Sequence, residues 1–326
     1  MRPKYLFIRI LEACNADCFM CGFAQSRDPR RFTAAELSRL MPSVKGAGVG
    51  FVRFTGGEPL MNQELPELVR LCAQAGLRTS VITNGMLLPK QIDSLAASGL
   101  AQVIVSLDGA SARTHDLYRA TPGCFDNAVQ GLREARSAGV RLRINTVAGP
   151  HNYTEIPEMQ RLFTRLGIGQ WELSALKLER PIVYDDPEDV RRVCDPVYTP
   201  ADLTLLVPLG KRFYGDTEQE RELFFSQGIT PRASRPLCHV TDDVIFYDPI
   251  NQRAYACSCL AYRSDGVAIL ADRNRHPAGV FTSQDFAAHA AQFKAEGPRT
   301  CTGCSTTAAG YSDDVAALGH VQEWAY

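Results

Sequence analysis

The sequence contains no run of about eighteen apolar residues, the length a helix needs to cross a bilayer. Its opening stretch, MRPKYLFIRILEAC, is interrupted at Arg9 and Glu12 before a signal-peptide core can form. These absences give the expectation of a soluble, intracellular, cytoplasmic protein with no membrane partner. Net charge is almost absent as well. Lys plus Arg (35) and Asp plus Glu (36) leave −1, so no global field favours nucleic acid as a partner. Internal repeats and low-complexity tracts are also missing. With 45% hydrophobic and 22% charged residues the 326-residue chain has ordinary globular composition, which excludes disorder or a fibrous architecture as its main state. Function must therefore reside in a local site.

What is present in unusual supply is cysteine: eleven residues, an odd number. In an intracellular chain of this length that argues for metal ligands or reactive thiols over a disulfide framework.

The chain opens as an alternation of strands and helices. Strands are expected over 5–10, 51–54, 78–82, 102–106, 141–147 and 171–177, and helices over 32–45, 65–75, 89–97, 125–138 and 156–166. Thr33 is placed to cap the first helix, with Glu36 three residues on, as a capping box requires. Strands joined by helices of this length must run parallel. The fold class expected is α/β, a partial (βα)6 TIM-like barrel over residues 1–180 whose site lies at the strand C-termini. An acidic, proline-rich connector or lid follows over 181–200. Residues 201–326 form a smaller α+β domain with short strands at 244–247 and 253–256 and a helix over 283–295.

Directly after the first strand, Cys14-Asn-Ala-Asp-Cys18-Phe-Met-Cys21 offers three thiolates with no fourth cysteine nearby. A cubane iron-sulfur cluster wants four ligands, so three leave one iron open to a small molecule. A structural zinc site would need the fourth. Taken alone, the motif leaves a cluster, a zinc ion and buried structural cysteines all open.

This spacing after the first strand of a βα array resembles radical S-adenosylmethionine (radical SAM) enzymes. Thr55-Gly56-Gly57-Glu58-Pro59, after the second strand, resembles the motif with which that family receives the cofactor's methionine amino group. Two glycines allow close backbone approach, and Glu58 can accept hydrogen bonds from an ammonium. Thr83-Asn84-Gly85 and Ser106-Leu107-Asp108-Gly109 follow later strands, and Asn145 and Thr146 lie in the fifth. Ser106 and Asn145, with Arg119 of similar status, are the candidates to meet the ribose or methionine carboxylate. The resemblance implies a SAM-binding [4Fe-4S] cluster, S-adenosylmethionine, and a flavodoxin- or ferredoxin-type electron donor.

The last third resembles the shortened auxiliary-cluster (twitch) domain, with Cys238, Cys257, Cys301 and Cys304 as ligands to a second [4Fe-4S] cluster. Cys72 is expected in the core and Cys124 at a helix N-terminus. Cys194 and Cys259 are the candidates for a functional thiol. With no segment assigned to a peptide-binding domain, a small substrate is favoured, and the layout resembles members that modify sugar and aminocyclitol carbons in aminoglycoside pathways. Epimerisation, with Cys259 or Cys194 returning hydrogen, is preferred to dehydrogenation of an alcohol through the auxiliary cluster. A non-catalytic iron-sulfur or zinc protein is the remaining alternative. Asp185, Asp186, Glu188, Asp189, Asp242 and Asp243 are candidates to line an entrance for an amine-rich substrate.

Overall fold

A computed structural model describes residues 3–18, 20–21, 23, 26, 28–148, 152–175, 240–255, 284, 286–288 and 291. Its strands are β1 (Tyr5–Arg9), β2 (Phe51–Thr55), β3 (Arg78–Thr83), β4 (Gln102–Ser106), β5 (Arg141–Ala148) and β6 (Gln170–Ala175). The helices between them are α1 (Ala34–Ala47), α2 (Leu65–Gln74), α3 (Leu88–Ala97), α4 (Ala112–Arg119), α5 (Cys124–Ser137) and α6 (Ile156–Leu166). A single helical turn, Val240–Asp243, precedes β7 (Val244–Asp248) and β8 (Arg253–Tyr255).

One sheet runs β6-β5-β4-β3-β2-β1-β7-β8. Every pairing from β6 to β7 is parallel, and β8 closes antiparallel on β7. Because β1 to β6 follow one another in space in chain order, every crossover falls on the same side of the sheet. Right-handed crossovers on one side produce a partial TIM barrel; a doubly wound sheet would reverse direction at its middle. The hairpin β7–β8, read from sequence as part of the second domain, instead extends this sheet beside β1. The residues described at 284, 286–288 and 291 are helical, and Phe286 is buried in the barrel's own core.

Alternation along the strands separates two environments. Leu6 and Ile8, Val52 and Phe54, Val103 and Val105, and Leu142 and Ile144 join one apolar core with Leu37, Val44, Leu68, Leu95, Leu132 and Phe163 from the helices. Each fully buried aliphatic side chain of this kind contributes roughly 1.5–3 kcal/mol. The opposite face mixes aromatic and aliphatic residues, among them Tyr5, Phe7, Ile104 and Phe246, with buried polar ones. Phe7, Arg53, Ser80 and Gln102 form a row in register across four strands. Arg53 Nε donates to Ser80 Oγ at 3.0 Å, and its guanidinium lies 4.9 Å from the Phe7 ring centroid. One row nearer the strand C-termini, Arg9 Nη1 meets Asp248 Oδ2 at 2.7 Å, a buried pair joining strands far apart in sequence. Above it Ser106, Asn145 and Glu172 stand side by side.

Helix α1 begins as the sequence implies. Thr33 Oγ1 accepts from Glu36 N at 3.3 Å while Thr33 N donates to Glu36 Oε2 at 2.8 Å. Helix α4 was not anticipated. It buries Thr114, His115 and Tyr118 where an apolar stripe would be expected, so hydrophobic periodicity does not reveal it.

Candidate active site

The site is built on the loops leaving the C-terminal ends of β1 to β5. After β1 the chain runs through Leu11, Glu12 and Ala13 to Cys14, and the β2 loop lies directly against this segment. Gly57 N donates to Leu11 O at 3.0 Å and Glu58 N to Ala13 O at 2.9 Å. The contact is too close for side chains. A Cβ on Gly57 would stand 2.1 Å from Glu12 O, and one on Gly56, where φ is +151°, 2.2 Å from Leu11 O. The two glycines thus let the cysteine loop and Glu58 share one place.

Glu58 is fully buried and its carboxylate faces donors. Oε1 accepts from Leu60 N at 2.9 Å and Thr83 Oγ1 at 2.7 Å, and Oε2 from Asn84 N at 2.8 Å. Burial pushes its carboxyl above the ordinary range, and the bonds from Asn84, Thr83 and Leu60 pull it back. Pro59 begins the short 3-10 turn that supplies Leu60 N.

Cys14, Cys18 and Cys21 gather around one small apolar cluster with Ala16, Met20, Tyr118 and Val147. The Cys14 thiol is pushed up to about 12, chiefly by burial, and Glu58, Cys18 and Cys21 all push in the same direction. N–H donors already face the sulfurs: Ala16 N at 3.4 Å and Asn84 Nδ2 at 3.9 Å from Cys14 Sγ, and Arg119 Nη1 at 3.8 Å from Cys18 Sγ. Among the described residues no group of three or more His, Cys, Asp and Glu side chains is arranged to hold a metal ion.

Behind the thiols stands a buried polar network that the sequence only partly disclosed. Arg119, at the end of α4, places Nη2 2.5 Å from Asp108 Oδ2. Asp108 Oδ1 accepts from Val147 N at 2.7 Å, Asp108 N donates to His115 Nδ1 at 2.9 Å, and Asn152 Nδ2 donates to Asp108 O at 2.9 Å. Burial holds His115 neutral, well below its ordinary pKa. Burial opposes the charge on Arg119 too, yet Asp108, followed by the Cys18 and Cys124 thiols, raises its pKa above the ordinary value. Arg119 Nε is buried without a hydrogen-bond acceptor among the described residues, as is His115 Nε2.

The structure brings together Cys14, Cys18, Cys21, Gly56, Gly57, Glu58 and Pro59 as the sequence implies. Ser106 and Asn145 are neighbours across β4 and β5, and Asn145 Oδ1 accepts from Arg143 Nε at 3.0 Å. Cys72 is a core residue of α2. Cys124 opens α5 with its thiol donating to Asn84 O at 3.5 Å, which braces the loop that bonds Glu58. Asp242 and Asp243 do not line the site. Both are buried at the N-terminal end of β7, where Lys4 Nζ meets Asp243 Oδ2 at 3.2 Å, at the other end of the strands from the cysteine loop. Cys194, Cys238, Cys257, Cys259, Cys301, Cys304 and the 181–200 connector lie outside the described residues.

The residues fit the groups that the motifs imply. A cubane binds each thiolate at a different iron, and N–H donors already face two of the three sulfurs, those of Cys14 and Cys18, which suits them to carry its charge. A buried carboxylate that can still accept a proton donor, and a buried guanidinium with an unused N–H, suit the ammonium and carboxylate of an amino acid.

Comparison with known proteins agrees. Residues 8–163 match the family model of the Radical SAM superfamily. An AdoMet-dependent heme synthase of Methanosarcina barkeri is 34% identical over 168 residues, covering 51% of this chain and 48% of that protein. A GTP 3',8-cyclase of Marinobacter nauticus is 34% identical over 167 residues, covering 48% and 49%. The chain thus spans about half the length of the curated relatives it matches. Among solved structures, Streptococcus suis SuiB bound to S-adenosylmethionine superposes with a TM-score of 0.63 at 19% identity, covering 86% of this chain and 66% of that one, a likeness of fold. Sheet topology, cysteine loop and family match point the same way: over residues 8–163 the chain is similar to the Radical SAM superfamily.

Proposed function

We propose that the protein is a radical SAM enzyme in which Cys14, Cys18 and Cys21 hold a [4Fe-4S] cluster and Glu58 receives the ammonium of S-adenosylmethionine at its open iron. The observation that carries this is the joining of the two motifs: the Glu58 backbone bonds to Ala13, the residue before Cys14, and Asn84, whose N–H holds the Glu58 carboxylate, reaches Cys14 Sγ with its side chain. When bound, the cluster and cofactor together supply hydrogen abstraction from an unactivated carbon. The chain's own residues hold and orient them. Thr83 and Asn84 fix the Glu58 carboxylate, Arg119 Nε offers a donor for the cofactor carboxylate, and Ser106 and Asn145 present hydroxyl and amide groups near the ribose.

The substrate we propose is a small, polar one, a sugar or aminocyclitol carbon of the kind found in aminoglycosides. The polar groups at the strand C-terminal ends support it, because Ser106 and Asn145 lie side by side there, on β4 and β5. The relatives' names also carry small molecules, heme and GTP. The reaction proposed is epimerisation, with Cys259 or Cys194 returning hydrogen to the opposite face and a second cluster on Cys238, Cys257, Cys301 and Cys304 passing the electron that resets the thiol. A flavodoxin- or ferredoxin-type donor in the cytoplasm would supply the reducing electron.

The test is anaerobic turnover of reconstituted protein with dithionite, S-adenosylmethionine and candidate aminoglycosides in deuterated water. Epimerisation through an exchangeable thiol leaves a product about one mass unit heavier and otherwise isomeric. A product about two units lighter would identify a dehydrogenase instead. Cys259→Ala should still form 5′-deoxyadenosine yet fail to invert the carbon. Normal inversion by both Cys259→Ala and Cys194→Ala would overturn the thiol-donor reading.

A further inference from the structure

Among the groups that bind neither thiolate iron nor cofactor ammonium, the Asp108–Arg119 pair is the most constrained. Asp108 is fully buried and fixed from three sides, by Val147 N, His115 Nδ1 and Asn152 Nδ2. Its carboxylate meets Arg119, whose other terminal nitrogen reaches Cys18 Sγ. The guanidinium thus stands between anion and sulfur, held there by α4 and the β4 and β5 loops. His115 is neutral and its Nδ1 accepts, so its role toward Asp108 is to fix the loop rather than to add charge.

The geometry points to Arg119 and Asp108 as an opposed pair that sets the reduction potential of the cluster on Cys14, Cys18 and Cys21. This rests on the cluster reading above. One electron enters the cubane on reduction and adds a unit of negative charge, while Arg119 and Asp108 keep theirs. A guanidinium donating N–H to a ligand sulfur stabilises the more negative, reduced form. A carboxylate held against that guanidinium withdraws part of the effect, and burial leaves little water to screen either. The two residues therefore act with opposite signs, a signature that neither a structural role nor cofactor binding would produce.

The experiment is an anaerobic redox titration of reconstituted protein, followed by the cluster's electron paramagnetic resonance signal, without S-adenosylmethionine. Iron content and circular dichroism are recorded for every variant. Arg119→Gln, which removes the charge, should shift the midpoint to a more negative potential. Asp108→Asn, which keeps an acceptor for Val147 N and frees the guanidinium, should shift it to a more positive one. Arg119→Lys should fall between Arg119→Gln and wild type. Potentials unmoved, or moved in the same direction by both removals, at wild-type iron content would overturn the inference and leave the cluster reading intact. If Arg119→Gln fails to hold iron, the sign of the Asp108→Asn shift decides. Wild-type protein that binds no iron through Cys14, Cys18 and Cys21 would overturn both.

Discussion

Gly57→Ala isolates the joint between the two motifs. The new Cβ would stand 2.1 Å from Glu12 O and 2.2 Å from Ala13 O, both backbone atoms. Ordinary contacts between such atoms lie near 3.5 Å, so the segment or the glycine loop must move by about 1 Å. That displacement strains the bonds Gly57 N to Leu11 O and Glu58 N to Ala13 O, each contributing about 0.5–1.5 kcal/mol. Overpacking adds about 1–3 kcal/mol. The expected loss is about 3 kcal/mol, read as a fall of about 1 M in the urea midpoint of the metal-free protein. Because Cys14 follows Ala13, reconstituted Gly57→Ala should also hold less iron. Gly46, in the exposed part of α1 with nothing within 4 Å of its would-be Cβ, is the control. Gly46→Ala should raise stability by about 0.5–1 kcal/mol. Gly57→Ala within about 0.5 kcal/mol of wild type would refute the close-approach reasoning.

Glu58→Ala should keep its iron and lose most S-adenosylmethionine-dependent formation of 5′-deoxyadenosine, measured chromatographically; an unchanged rate would reduce the motif to a turn. Since burial raises the Glu58 carboxyl, the ionised form that an ammonium requires is lost at a higher pH than for an ordinary glutamate near about 4.3. Cofactor affinity, followed by equilibrium dialysis, should therefore be full at neutral pH and fall as pH descends through that raised value. Ala120 ends α4 at φ 45°, a left-handed conformation unfavourable for a residue with a Cβ, and Ala120→Gly should stabilise the fold by about 0.5–1 kcal/mol in thermal or urea unfolding. Iron analysis should give about eight atoms per chain with both cubanes present, halved when Cys14, Cys18 and Cys21 are replaced together.

The barrel was legible because its signals are local. Strand and helix periodicity, the Thr33 and Glu36 capping box and the cysteine spacing each depend on neighbours in sequence. What could not be read depends on residues far apart. Arg9 meets Asp248 and Lys4 meets Asp243 across more than two hundred residues, and those pairs accompany β7 into the barrel sheet. Asp242 and Asp243 looked like solvent-facing acids of an entrance, but parallel pairing of β7 to β1 puts them at the far end of the strands. Helix α4 hid behind the buried polar side chains His115 and Thr114, and with it went the network from His115 through Asp108 to Arg119. The Ser106-Leu107-Asp108-Gly109 segment marked the place, without the partner that gives Asp108 its role.

The decisive measurement is the electron paramagnetic resonance spectrum of dithionite-reduced, anaerobically reconstituted protein before and after S-adenosylmethionine is added. An open iron on the Cys14, Cys18 and Cys21 cluster predicts a signal component that changes on addition of the cofactor, does not change in Glu58→Ala, and is lost in the variant lacking all three cysteines, which keeps only the cofactor-indifferent signal of the second cluster. A signal indifferent to the cofactor in the wild type, or zinc in place of iron after anaerobic purification, would contradict it.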